Sequence, residues 1–91
     1  NVILPDIDSI LKTQTQTFTV YKYINDVAQA DTFTVTVSGV PSVYYTFTII
    51  DGNSFSIMCL YEYVNSPLTI TATNDDDDSI VTKQILLRGL W

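Results

Sequence analysis

Histidine is absent from the 91 residues, and cysteine occurs once. Without an imidazole there is no base for a Ser-His-Asp or Cys-His site, so the usual nucleophilic hydrolases are excluded and the chain is not expected to be an enzyme. The single thiol, Cys59, cannot form an internal disulfide and lies in the apolar run Phe55-Ser56-Ile57-Met58-Cys59-Leu60, where it reads as a small buried hydrophobe. Cations are also scarce: Lys12, Lys22, Lys83 and Arg88 face ten acids, for a net charge of −6. These cations are scattered, and nucleic-acid binding needs a clustered basic footprint, so no nucleic-acid partner is expected. No run approaches the roughly 20 apolar residues of a membrane span, and no basic stretch leads into an apolar one as in a signal peptide. A soluble chain with no membrane partner is expected. It opens on Asn1 rather than Met, and the expectation is a processed product or a piece of a longer chain.

What is present points to a folded β domain. Apolar residues make up 46% and charged residues 15%, the reverse of a disordered composition. Ninety-one residues suffice for one hydrophobic core and not for two, so a single domain over 1–91 is expected, with 1–13 as a linker or first edge strand. The dominant pattern is alternation at period two, with threonine outward and aliphatic or aromatic residues inward. Thr32-Phe33-Thr34-Val35-Thr36-Val37-Ser38 is the clearest case, and Thr17-Phe18-Thr19-Val20-Tyr21, Tyr45-Thr46-Phe47-Thr48-Ile49 and Leu68-Thr69-Ile70-Thr71-Ala72-Thr73 repeat it. Stiff β-branched and aromatic side chains suit a half-buried pleated surface. Turn residues punctuate the runs at Asn25-Asp26 with Gln29-Ala30-Asp31, at Ser38-Gly39-Val40-Pro41-Ser42, at Asp51-Gly52-Asn53, at Asn65-Ser66-Pro67 and at Asn74 to Asp78.

The alternation predicts strands over 14–23, 31–38, 43–50, 54–60, 67–73 and 79–87, with a short strand within 2–11 or a turn of helix over Asp6 to Leu11. Short strands at such regular intervals describe an all-β immunoglobulin-like sandwich of about 6–7 antiparallel strands without a disulfide, with another sandwich or an open barrel as the alternative. The predicted core comprises Phe18, Val20, Phe33, Val35, Phe47, Ile49, Phe55, Ile57, Leu68, Ile70 and Ile85.

Two groups of residues stand out as candidate sites. The run Asp75-Asp76-Asp77-Asp78 falls in a predicted hairpin loop, where it is either a solvated, self-repelling loop or, with Asp51, part of a calcium site, since hard cations prefer clustered carboxylate oxygens. The spacing is not that of an EF-hand, and no other cofactor is expected. If successive strands run antiparallel, the loops at 25–31, 51–53 and 74–78 share one pole, which gathers Asp26, Asp31, Asp51 and the aspartate run. Gly39 to Ser42, Tyr61 to Pro67 and Arg88 then lie at the other. Tyr21, Tyr23, Tyr44, Tyr45, Tyr61 and Tyr63 form three close pairs, and neighbouring strand residues face opposite sides. Tyr44, Tyr45, Tyr61 and Tyr63 are the candidates for an aromatic platform that takes a sugar ring or a protein; cross-strand tyrosines that half cover a sheet face are the structural alternative.

The succession Thr17 to Tyr23, Asp31-Thr32-Phe33-Thr34-Val35, Gly39-Val40-Pro41-Ser42, Asp51-Gly52-Asn53-Ser54-Phe55, Pro67 to Ala72 and Leu87-Arg88-Gly89-Leu90-Trp91 resembles the bacterial-type immunoglobulin-like (Big) domains appended to tail and other structural proteins of tailed phages and prophages. It covers the chain from about Thr15 onward. The resemblance implies a non-catalytic accessory module at a virion or extracellular surface, with other virion or surface-assembly proteins as partners and weak adhesion to the cell surface. A recognition module for a cell-surface carbohydrate or a protein receptor, assisted by calcium, is the alternative. No catalytic residue is implied.

Overall fold

A computed structural model describes residues 1–60 and 65–88. Among them are nine strands: β1 (Val2–Leu4), β2 (Ser9–Leu11), β3 (Thr15–Ile24), β4 (Val27–Ala30), β5 (Phe33–Ser38), β6 (Tyr45–Ile49), β7 (Ser54–Cys59), β8 (Asn65–Asn74) and β9 (Ile80–Arg88). A single 3-10 turn, Ser42–Tyr44, precedes β6. The strands form two sheets, one in the order β1-β3-β7-β6 with β4 also on β3, the other β2-β9-β8-β5. This is an immunoglobulin-like sandwich, in which the first strand of the fold is split between the two sheets.

Alternation dictates which face is buried. In β3 the side chains of Phe18 and Val20 are fully enclosed, in β7 those of Phe55, Ile57 and Cys59, and in β8 those of Leu68, Ile70 and Ala72. The outward positions between them are largely threonine and serine. Phe18 stacks on Phe55 at 5.3 Å between ring centroids, and Phe47 meets Phe55 edge-on at 5.7 Å. Such aromatic contacts contribute beyond simple area burial. Ile3, Ile10, Val40, Cys59, Ala72 and Leu87 join the core, Ile3 and Ile10 from the short strands β1 and β2, Val40 from a loop and the other three from strands the alternation predicts.

Four differences from the sequence reading have physical causes. The extra strands are short: β1 and β2 come from the segment expected to hold one strand or a helical turn. The chain switches sheets between them, through a cis Leu4–Pro5 bond. Because β2 runs parallel to β9, pairing Ser9 with Leu86 and Leu11 with Arg88, the sandwich is not wholly antiparallel. The segment 27–30, expected within a loop, forms β4, because Asn25 and Asp26 both adopt positive φ (52° and 63°) and close a tight two-residue hairpin. Finally, Val35 and Phe47 are only partly buried and Ile49 is 54% exposed. β6 pairs with a neighbour along one side only, and Ile49 is its last residue. Cys59 is fully buried, as a small hydrophobe in β7 should be.

Candidate functional site

The pole at which β3, β8 and β9 meet their loops gathers the acidic residues. Tyr21 pairs with Val2 on one side and Ala30 on the other, while Thr15 to Thr19 pair with β7. The β3–β4 hairpin therefore continues beyond the end of β7, carrying its tip about 10 Å past Tyr21 at 3.3 Å per residue. Thr32 ties the remaining loops together: its carbonyl accepts the Asp75 N–H at 3.0 Å, and the next amide, of Phe33, donates to the Gly52 carbonyl at 2.8 Å. The loops at Asp31, at 51–53 and at 74–78 thus share one end, as the strand alternation predicts, but Asp26 stands off on the projecting hairpin.

Asn74 organises this pole. It is the one buried polar residue among those described, with its side chain wholly enclosed. Its Oδ1 accepts the amides of Asp76 and Asp77 at 2.9 and 3.1 Å, and its Nδ2 donates to Asp31 Oδ2 at 3.0 Å. The backbone closes around it: the Asn74 N–H donates to Ser79 at 2.8 Å and the Asp78 N–H to Asn74 at 3.0 Å. This is an asparagine-initiated turn, in which the side chain replaces a backbone acceptor. Sequence reasoning treated Asn74 only as a loop residue; an Asn heading a run of acids after a threonine-rich strand was the available signal.

Within the run, the carboxylates of Asp75 and Asp77 are bonded. Asp75 accepts the Thr34 hydroxyl at 2.7 Å. Asp77 accepts the Ser79 hydroxyl at 2.6 Å and its amide at 2.9 Å, and pairs with Lys22 Nζ at 2.5 Å. Asp78 holds a positive φ of 60° that closes the hairpin, and Asp51 accepts the Asn53 amide at 3.0 Å. Lys22 follows Phe18 and Val20 on the inward phase of β3, but at the height where the core has ended, so its ammonium reaches across to the loop of the other sheet. Among the described residues no three histidine, cysteine or carboxylate side chains converge closely enough to hold a metal ion. Asp51 and Asp75 to Asp78 therefore share a pole without three of their carboxylates converging.

The Lys22 ammonium, then the Ser79 hydroxyl and amide, hold the Asp77 carboxyl well below the usual carboxylate range, and the bond from Asn74 lowers Asp31. Lys83 lowers Asp6 through a 2.6 Å hydrogen bond, and Asp77 in turn raises Lys22. Carboxylates with depressed folded-state values contribute stability that is present above their unfolded value, near 4, and is lost as pH falls toward the folded one. Raised Lys22 contributes below its unfolded value, about 10.4, and its share is lost as pH rises through the folded one. The thermal midpoint should fall below about pH 4. Asp77→Asn should make that acid slope shallower without abolishing it, because Asp31 and Asp6 titrate in the same direction; differential scanning calorimetry between pH 2 and 7 checks this.

The predicted tyrosine platform divides. Tyr44 lies in the 3-10 turn, 36% exposed, whereas Tyr45 at the start of β6 packs partly against the core. Tyr61 and Tyr63 lie outside the described residues. A groove of about 260 Å³ runs along β1 and β9 from the acidic pole, lined by Asn1, Val2, Leu4, Asp6, Val81 and Lys83 among others. Its two charged side chains, Asp6 and Lys83, neutralise each other.

No family model and no curated protein matches the chain. Among solved structures it is similar to an endo-fucoidan hydrolase from glycoside hydrolase family 107, with a TM-score of 0.54 and 16% identity over 92% of this chain. The match spans only 12% of the hydrolase chain, and at that identity the likeness is one of fold.

Proposed function

We propose that the domain is a non-catalytic accessory module of a virion or other extracellular surface assembly, joined to larger structural proteins and giving weak contact with a cell surface. The observation that supports this reading best is how the charged side chains are used. Asp75 and Asp77 are bonded to residues of their own pole, and Asp6 and Lys83 to each other. General acid–base chemistry needs a titrating group facing an open site, and the two charged side chains that line the groove, Asp6 and Lys83, are bonded to each other. The phage setting rests on the resemblance of the strand and turn succession. That the same fold makes up a small part of a much longer fucoidan hydrolase accords with an accessory role, and it keeps carbohydrate recognition as a second reading.

Incubation of the purified chain with bacterial cell walls and with sulfated and neutral polysaccharides tests both. The expected result is weak, saturable retention with no release of reducing ends. Product release would overturn the non-catalytic reading, and no retention at millimolar concentration would remove the surface-contact part. Retention lost on Tyr61→Ala with Tyr63→Ala would favour dedicated carbohydrate recognition.

A further inference from the structure

Among the described residues β6 lies at the edge of its sheet, with β7 as its one strand neighbour. The Leu60 N–H donates to the Tyr44 carbonyl at 3.0 Å and the Ile50 N–H to Ser54 at 2.9 Å, in a register that sets Thr46 opposite Met58 and Thr48 opposite Ser56. Even-numbered residues therefore turn their backbone groups toward β7, and Tyr45, Phe47 and Ile49 turn theirs away from it. The Tyr45 N–H is taken by Ser42, which leaves the Tyr45 carbonyl and both polar groups of Phe47 and Ile49 facing outward.

Among the described residues no strand covers this edge. Natural sheets blunt such strands with lysine, proline or a bulge, yet Val43 to Ile50 contains no charged residue and no proline. Val43, Tyr44, Ile49 and Ile50 are among the exposed large apolar side chains, at 62%, 36%, 54% and 54%. The edge strand of the other sheet, β5, differs in that its first amide, that of Phe33, is already bonded to Gly52.

From these features we infer that β6 is a self-association surface, and that its partner is the β6 strand of a second copy, antiparallel about a two-fold axis at Phe47. The segment Thr46-Phe47-Thr48 is a palindrome flanked by Tyr45 and Ile49, so the two-fold sets Thr46 against Thr48, Tyr45 against Ile49 and Phe47 against its own copy. Threonine pairs and aromatic–β-branched pairs are favourable cross-strand neighbours, and an isologous contact needs this self-complementarity. Each Phe47 exchanges N–H and carbonyl with the other, and each Ile49 N–H donates to Tyr45 of the opposite copy. Charge selects the same arrangement. β6 runs toward the acidic pole, entering Asp51 directly, so antiparallel pairing sends the two acidic poles to opposite ends of the dimer, where a parallel pairing would align them. With no charge on the edge itself, nothing there favours a charged foreign strand.

A single five-residue edge buries less than the roughly 1,200 Å² of a stable interface, so a dissociation constant on the order of 0.1–1 mM is expected. Sedimentation equilibrium and amide NMR from about 20 µM to 2 mM should show a monomer–dimer equilibrium, with concentration-dependent shifts centred on Phe47 and Ile49. Thr46→Lys with Thr48→Lys places like charges directly across the contact on exposed outer-face positions and should weaken association at least tenfold. Thr36→Lys on β5 should leave it unchanged. Should the double lysine variant fail to fold, register-specific crosslinking decides: Thr46→Cys mixed with Thr48→Cys should oxidise to a dimer faster than either variant alone. A single monomeric species at 2 mM, a dimer insensitive to the β6 lysines, a dimer lost in Thr36→Lys, or crosslinking fastest for Thr46→Cys alone would each overturn the inference.

Discussion

Replacing Phe55 by alanine is expected to leave little folded protein at 37 °C. Phe55 is fully enclosed, stacked on Phe18 and met edge-on by Phe47, so its removal opens a cavity at the junction of β3, β6 and β7. Phe→Ala changes in cores cost about 3–5 kcal/mol, against a total stability of about 5–9 kcal/mol for a chain of this length. At about 4–8 °C per kcal/mol the thermal midpoint should drop by roughly 15–35 °C. There is no disulfide to hold the sheets together once that packing is lost. Phe55→Leu, which keeps most of the volume, should lose well under half as much, and Ile80→Ala, at an exposed position, should stay within about 0.5 kcal/mol of the parent. Thermal denaturation followed by near-ultraviolet circular dichroism separates the three.

The second large effect belongs to Asn74. Asn74→Ala removes the acceptor for the Asp76 and Asp77 amides and the donor to Asp31, leaving polar groups without partners in an enclosed space. Such losses cost about 1–3 kcal/mol per orphaned group, so a drop of about 2–4 kcal/mol is expected, with fast hydrogen exchange at the amides of 75–79 as its local signature. Asn74→Asp gives a sharper test. It keeps the acceptor but sets a carboxylate against Asp31, and both proximity and burial raise the pKa of the new group. Its destabilisation should therefore be largest at neutral pH and shrink as the pH is lowered and the new carboxyl protonates. Destabilisation independent of pH would mean that packing around Asn74, and not its hydrogen bonds, sustains the loop.

The alternation of Thr with Phe, Val and Ile made the long strands and most of the inner face legible, because period two is a property of the strand itself. Position within a sheet is not. Ile49 carries the same inward phase as Phe47 and differs only in lying at the far end of a strand with one neighbour, a fact created by pairing. The strand Val27–Ala30 was hidden by its two alanines and one glutamine, which carry no β signature, although Asn25-Asp26 is a pair able to take the positive φ that its hairpin needs. The acidic pole was foreseeable from strand order. Lys22, the cation that answers it, was visible only as a charged residue on the inward phase of β3, and a charge on that phase marks the height at which a core ends. Tyr61 and Tyr63 lie outside the described residues, so the platform they were expected to form is a matter for the binding assays.

The split first strand also governs how the sandwich bears mechanical load. β1, β2 and β9 all run from the acidic pole toward the opposite one, Asn1 being bonded to Ser79 at the former and Arg88 to Lys12 at the latter. Tension applied between Asn1 and Arg88 therefore draws β2 backward and β9 forward along their own axes. Their parallel hydrogen bonds, including Leu86 to Asp8 at 2.7 Å and Lys12 to Arg88 at 2.9 Å, are loaded together in shear and cannot be unzipped one at a time. A hairpin pulled from its open end gives way bond by bond; this clasp is loaded across all its bonds together, and the expected force to open it is higher than for a hairpin held by as many bonds.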